Sequence, residues 1–139
     1  MREPGCIFCD IVGGDRPAYV VLDDETTMAF LDARPVFEGH CLLVPRDHYA
    51  TLLDLPQDIL VTLFTTAQRL AAGVQAGMDA DGTFVAMNNV ISQSVPHFHV
   101  HVVPRRRKDG LRGFFWPRQK YDTDEEAGSV AERIRNALR

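Results

Sequence analysis

Residues 93–105 read Gln93-Ser94-Val95-Pro96-His97-Phe98-His99-Val100-His101-Val102-Val103-Pro104-Arg105, and this stretch decides the fold. From Phe98 to Val103 the pattern predicts a β-strand, whose side chains alternate between two faces. On such a strand His97, His99 and His101 point one way, at intervals of roughly 6.6 Å. Phe98, Val100 and Val102 point the other way, into a core. A single strand histidine is ordinarily a packed or solvated residue. Three of the chain's five histidines on one face are not explained that way. Such a row calls for a metal, a phosphate or a proton relay.

Working outward, Thr83 to Asn88 reads as another strand. Before it, Leu60, Leu63, Ala67, Leu70 and Val74 recur at steps of three and four, an apolar helical stripe ending near Gly77. That stripe is core material. Asp54-Leu55-Pro56-Gln57 has the form of a capping box, with Asp54 as N-cap. Nearer the start, Tyr19 to Leu22 and Thr26 to Leu31 read as strands joined by an acidic turn at Asp23-Asp24. Arg34 to Gly39 is loop, and His40 to Val44 is a strand closed by Pro45. Ile7, Phe8 and Ile11 share one face of a short helix that Gly13-Gly14 stops. Far downstream, Thr123 with Glu126 opens a helix carrying Val130, Ile134 and Leu138 on one face. Five strands with short turns and one long helix make an antiparallel α+β domain.

A chain of 139 residues is read as one domain, 1–139, and 45% hydrophobic residues suffice for a proper core. The net charge of −4 argues against a general nucleic-acid coat. The run Arg105-Arg106-Arg107-Lys108 reads as solvated surface. No apolar stretch reaches the roughly 20 residues of a membrane span, and no signal-peptide pattern opens the chain, so a cytoplasmic protein is expected. Three cysteines, Cys6, Cys9 and Cys41, do not suggest a disulfide scaffold. Cys6-Ile7-Phe8-Cys9 sits almost at the N-terminus rather than behind a strand, which favours a metal over thioredoxin-like redox chemistry. Cys41 lies inside an apolar strand and reads as core.

His97-Phe98-His99-Val100-His101-Val102-Val103 resembles the signature of the histidine triad (HIT) family, His-φ-His-φ-His-φ-φ with φ apolar. The match extends to Gly39-His40-Cys41-Leu42-Leu43-Val44-Pro45-Arg46-Asp47-His48, to Ala29-Phe30-Leu31-Asp32 and to Ile7-Phe8 with Ile11. It covers roughly 6–105 and leaves 106–139 as a tail and helix. The resemblance implies a HIT-like fold: a five-stranded antiparallel sheet, one long helix, and short N- and C-terminal helices, in chains paired as a homodimer. It implies a nucleotide hydrolase cleaving at the α-phosphate of nucleoside phosphoramidates or dinucleoside polyphosphates. The route is a nucleotidyl-histidine intermediate that releases a monophosphate such as AMP.

By the same resemblance His99 is the nucleophile, with His101 and His40 flanking the phosphate and donating to its oxygens. Gln93 and Ser94 contact the phosphate, Asp32 grips the ribose, and Phe8, Ile11 and Phe30 wall the base. Asn88 or Asn89 supplies an amide to ribose or phosphate. Zinc-carrying members, like the similar galactose-1-phosphate uridylyltransferases, bind the metal through a set that falls here on Cys6, Cys9, His48 and His97. A structural Zn is therefore expected, separate from His99. The third histidine of the triad argues against the transferase branch.

Two other classes remain open. His97, His99 and His101 could form a catalytic metal centre of a hydrolase or oxygenase, although such centres usually want an acid among the ligands. Alternatively, the chain binds a nucleotide without catalysis. Nucleic acid is not an expected partner, since the extra binding elements of DNA-end-processing relatives are missing. Phe114, Phe115 and Trp116 either pack on a partner, cap the nucleotide pocket or join the core.

Overall fold

Pro45 decides where the histidine strand begins. In a computed structural model, which describes residues 1–112 and 117–138, β3 (Cys41–Pro45) pairs antiparallel with β5 (Val100–Arg105). The register sets Cys41 opposite Val102 and Leu43 opposite Val100. Continued two steps, it would set Pro45 opposite Phe98, and proline has no N–H to give the ladder. Phe98 instead donates to the carbonyl of Tyr49 at 2.6 Å. The ladder therefore starts at Val100 rather than at the expected Phe98, and His97 and His99 lie on an extended lead-in. Alternation survives this shift: Phe98, Val100 and Val102 share one buried cluster, while the histidines face the other side.

The first unit, Met1–Asp109, holds α1 (Ile7–Val12), β1 (Val20–Asp23), β2 (Thr27–Leu31), β3, a 3-10 turn (Leu52–Asp54), α2 (Gln57–Gly77), β4 (Gly82–Ala86) and β5. All strand pairs are antiparallel, in the order β1-β2-β3-β5-β4. β5 thus inserts between β3 and β4, so neighbours in sequence are not all neighbours in the sheet. β4 ends at Ala86, two residues short of the strand expected to reach Asn88.

Each face of the sheet has its own cover. Against one face α2 packs Leu63, Ala67, Leu70 and Val74 onto Ala29, Cys41, Leu43, Phe98, Val100 and Val102. On the other face Cys6, Phe8 and Cys9 meet Met28, Phe30, Leu42 and Val44. The N-terminus of α2 differs from the capping box expected there. The Asp54 carboxylate accepts from the N–H and hydroxyl of Thr51, both at 2.9 Å, and so caps the 3-10 turn. Pro56 is left at the N-cap of α2 with no side chain to offer. A missing cap costs about 1 kcal/mol. Burial of Leu63, Leu70 and Val74, at about 1.5–3 kcal/mol each, outweighs it.

The second unit, Gly110–Arg139, contains α3 (Asp124–Ala137). Its N-cap Thr123 accepts from Glu126 N–H at 3.1 Å, as the sequence predicts. Of the expected apolar stripe, Ile134 and Leu138 are exposed. The expectation for Phe114, Phe115 and Trp116 falls outside the described residues. No helix among the described residues is long and apolar enough to cross a membrane.

Candidate active site

Two carbonyl contacts fix the ring protons of His99 and His97. His99 Nδ1 lies 2.8 Å from the carbonyl oxygen of His97. A carbonyl only accepts, so Nδ1 carries the proton and Nε2 keeps a lone pair. His97 Nε2 lies 2.9 Å from the carbonyl oxygen of Pro45, which leaves its Nδ1 bare by the same argument. Burial pushes the pKa of His99 below its ordinary value, so the ring stays neutral and nucleophilic. Phe8 stands edge-on to His97 and His99, with ring centres 5.9 and 5.0 Å away.

His40 precedes β3, and His101 lies within β5 opposite Leu42. Their rings meet through His40 Nε2 and His101 Nδ1, 3.0 Å apart. Asp32, just after β2, brings Oδ2 to 3.6 Å from His40 Nε2. That is a polar contact rather than an ion pair, because burial holds His40 below its ordinary pKa and neutral. His101 is pushed down to about 4, first by burial and then by His99 and His40.

These two depressed values carry a pH dependence. As pH falls, the unfolded chain takes protons on His40 and His101 near 6.5. The folded chain refuses them, His101 until about 4. Their contribution to stability is complete above about pH 6.5 and is lost on the way down to 4. Urea midpoints at pH 7 and pH 5 should show a lower value at pH 5, with a shallower fall for His101→Asn. A variant falling as steeply as wild type would overturn this account.

Gly39 sets up His40. Its φ is 94°, and an added Cβ would meet Met78 Cγ at 2.6 Å. Gly39→Ala should cost about 1–3 kcal/mol through backbone strain. An unchanged urea midpoint would show that the loop tolerates the side chain.

The loop that leads into the histidine row is held through Gln93. Gln93 Oε1 accepts from Val90 N–H at 2.9 Å, and Gln93 Nε2 donates to Ala50 O at 2.6 Å. Gln93 is spent holding a loop in which Val90 and Ser92 have φ values of 71° and 63°. Ser94 is exposed beside it and keeps its hydroxyl available. Asn89 Oδ1 accepts from Leu52 N–H at 2.8 Å, and its neighbour Asn88 is exposed. Phe30 is 2% exposed and backs Phe8 at 5.5 Å between ring centres. Phe8 is itself only 6% exposed, so of the three residues expected to wall a base Ile11 alone is partly open. In the basic run, Arg105 pairs with Asp109 at 2.6 Å, and Arg106 donates to the Met78 carbonyl.

A second cluster lies on the α1 side of the sheet. Donor atoms of Cys6, Cys9, His48 and His97 all lie within 4.8 Å of one another and can hold a metal ion. His97 Nδ1 is 3.4 Å from Cys6 Sγ and 3.5 Å from Cys9 Sγ, and His48 Nδ1 is 3.5 Å from Cys9 Sγ. A tetrahedral ion about 2.3 Å from sulfur and about 2.0 Å from nitrogen separates them by about 3.5 Å. The sulfurs also accept backbone N–H groups, from Cys9 to Cys6 Sγ and from Glu3 to Cys9 Sγ. Burial pushes the Cys6 thiol up, and a bound cation would offset this by favouring the thiolate.

His97, His99 and His101 do not converge on one point: His97 joins the cysteines and His101 joins His40. Asp32, His40 and His101 do bring three donors within 4.8 Å. Yet the Val36 N–H donates to His40 Nδ1 at 3.1 Å. Neutral His40 then carries its proton on Nε2, the nitrogen that would have to ligate. This group does not suit a catalytic metal.

Residues 14–108 match the model of the HIT domain. The chain belongs to the HIT domain family. Adenosine 5'-monophosphoramidase HNT1 of Saccharomyces cerevisiae is 36% identical over 126 residues, 88% of this HIT protein and 77% of the yeast one. A Streptococcus mutans protein of solved structure shares 33% identity at a TM-score of 0.87, covering 99% of this chain and 87% of that one. A Zn-bound histidine triad family protein from Mycobacterium smegmatis shares 34% identity at a TM-score of 0.74, covering 96% and 97%. The HIT fold expected from the sequence is the fold observed.

Backbone groups were the residues that sequence reading missed. The carbonyl of Pro45 and the N–H of Val36 leave no mark in side-chain identity.

Proposed function

We propose that this HIT protein hydrolyses nucleotides at the α-phosphate, with phosphoramidates or dinucleoside polyphosphates as substrates and a monophosphate such as AMP as product. One observation carries the reading: His99 is buried, neutral and held by the His97 carbonyl with Nε2 bare. The kinship with a yeast adenosine 5'-monophosphoramidase supports the substrate class.

In the first step the His99 Nε2 lone pair attacks the α-phosphorus as the bond to the leaving group breaks. His101 offers its Nε2–H toward that group or the phosphoryl oxygens, and the Ser94 hydroxyl and N–H add donors. Asp32 lies at the end of β2 where two carboxylate oxygens suit two ribose hydroxyls. Water then attacks the phosphorus, freeing His99 and the monophosphate. Cys6, Cys9, His48 and His97 would hold zinc, which would supply neutralising charge and a cross-link between α1 and the histidine lead-in. A homodimer in the cytoplasm completes the proposal; three unpaired cysteines suit a reducing compartment.

The test is AMP release from adenosine phosphoramidate and from a diadenosine polyphosphate, followed side by side. Preference for one compound assigns the branch. Inertness toward both would remove the proposal and favour a nucleotide-binding protein.

A further inference from the structure

The proton that His101 can offer is assigned from outside the triad. Both nitrogens of His40 are engaged: Nδ1 receives the Val36 N–H at 3.1 Å, and Nε2 faces His101 Nδ1 at 3.0 Å. An amide N–H can only donate. His40 Nδ1 is therefore bare, and the ring proton sits on Nε2. The opposite tautomer would set two donors against each other 3.1 Å apart. At 3.6 Å, Asp32 Oδ2 is too far to draw the His40 proton away, so it goes to His101 Nδ1. His101 Nδ1 must then be bare, and its own proton rests on Nε2.

We propose that the Val36 amide is a positioning group that fixes the tautomers of His40 and His101 in series. In this arrangement His101 Nε2–H is the donor presented to a bound phosphate, and His40 is its support rather than a second phosphate contact. The Val36 side chain is 53% exposed, so the residue acts through its backbone. Asp32 shapes the loop that aims the amide, accepting from Arg34 N–H at 2.9 Å. Phe37 O accepts from His40 N–H at 3.0 Å and closes the same loop. The consequence for catalysis rests on the proposed function, whereas the tautomers themselves do not.

The experiment is a two-bond proton–nitrogen correlation spectrum of the uniformly labelled, zinc-loaded protein near neutral pH. His40 and His101 should each appear as a single Nε2–H tautomer, and His99 as Nδ1–H. Replacing the Val36 amide with an ester, using the matching hydroxy acid, should release Nδ1–H tautomer at His40 and then at His101. The rate of monophosphate release should fall by the factor lost from the Nε2–H population of His101. Val36→Ala retains the amide and should retain both tautomers. An Nδ1–H signal for His40 in the unaltered protein, a shift in Val36→Ala, or unchanged tautomers in the ester protein would each overturn the proposal. The expected tautomers in a protein that hydrolyses no nucleotide would uphold this inference and remove the proposed function instead.

Discussion

A His99→Ala variant should lose at least about 1,000-fold in monophosphate release while still folding. Where a covalent nucleophile acts as one unit with its partners, its removal costs up to about 10⁶-fold, and binding and oxyanion donors leave a residue of rate. Here those residual donors are His101 and Ser94, which His99→Ala leaves in place. Folding should survive because the lost ring is one member of a wall still built by Phe8 and Phe30. The main structural debit is the His97 carbonyl, which loses its donor at a cost of about 1–3 kcal/mol. Quenched single-turnover reactions should show phosphorus bound to wild-type protein and none bound to the variant. Equal rates in the two proteins would sink the nucleophile assignment, and partial recovery of a His99→Gly variant by added imidazole would locate the loss at the ring.

What the sequence revealed, and what it hid, divides along the difference between side chain and backbone. Alternation around Phe98, Val100 and Val102 placed the core face because burial acts on side chains, and the five strands followed from the same rule. The start of β5 was misjudged because it depends on which residue stands opposite, and Pro45 is more than fifty positions away. The strand order escaped for the same reason, since β5 inserts beside β3 through contacts distant in sequence. Asp54 shows a local version: its spacing to Gln57 suits a capping box, but the spacing from Thr51 suits one equally well, and Thr51 adds a hydroxyl donor. The same competition explains Gln93 and Asn89. Both are polar residues beside a histidine row, and each bonds a backbone group of the segment following β3.

Stripping metal from the protein should lower its melting temperature by about 12–16 °C and loosen α1 before the rest. The size follows from linkage: a zinc ion present at 1,000 times its dissociation constant adds about 4.1 kcal/mol. A domain of this length moves by roughly 3–4 °C per kcal/mol. The location follows from the packing. α1 is only six residues long, too short to persist alone, and is fastened by Cys6 at its N-cap and Cys9 within it. His97 is the opposite anchor, two residues before His99, and its Nε2 is fixed on Pro45. Metal loss would therefore free both Phe8 and the lead-in that aims His99, and activity should decline through disorder rather than through a missing reagent. Cys9→Ser should reproduce the stripped protein, and neither should change which substrate is preferred. Re-added zinc should restore the melting temperature of wild type only. If chelation left the melting temperature unchanged but abolished turnover at once, the ion would belong to the chemistry, and the assignment of Asp32, His40 and His101 would have to be reopened.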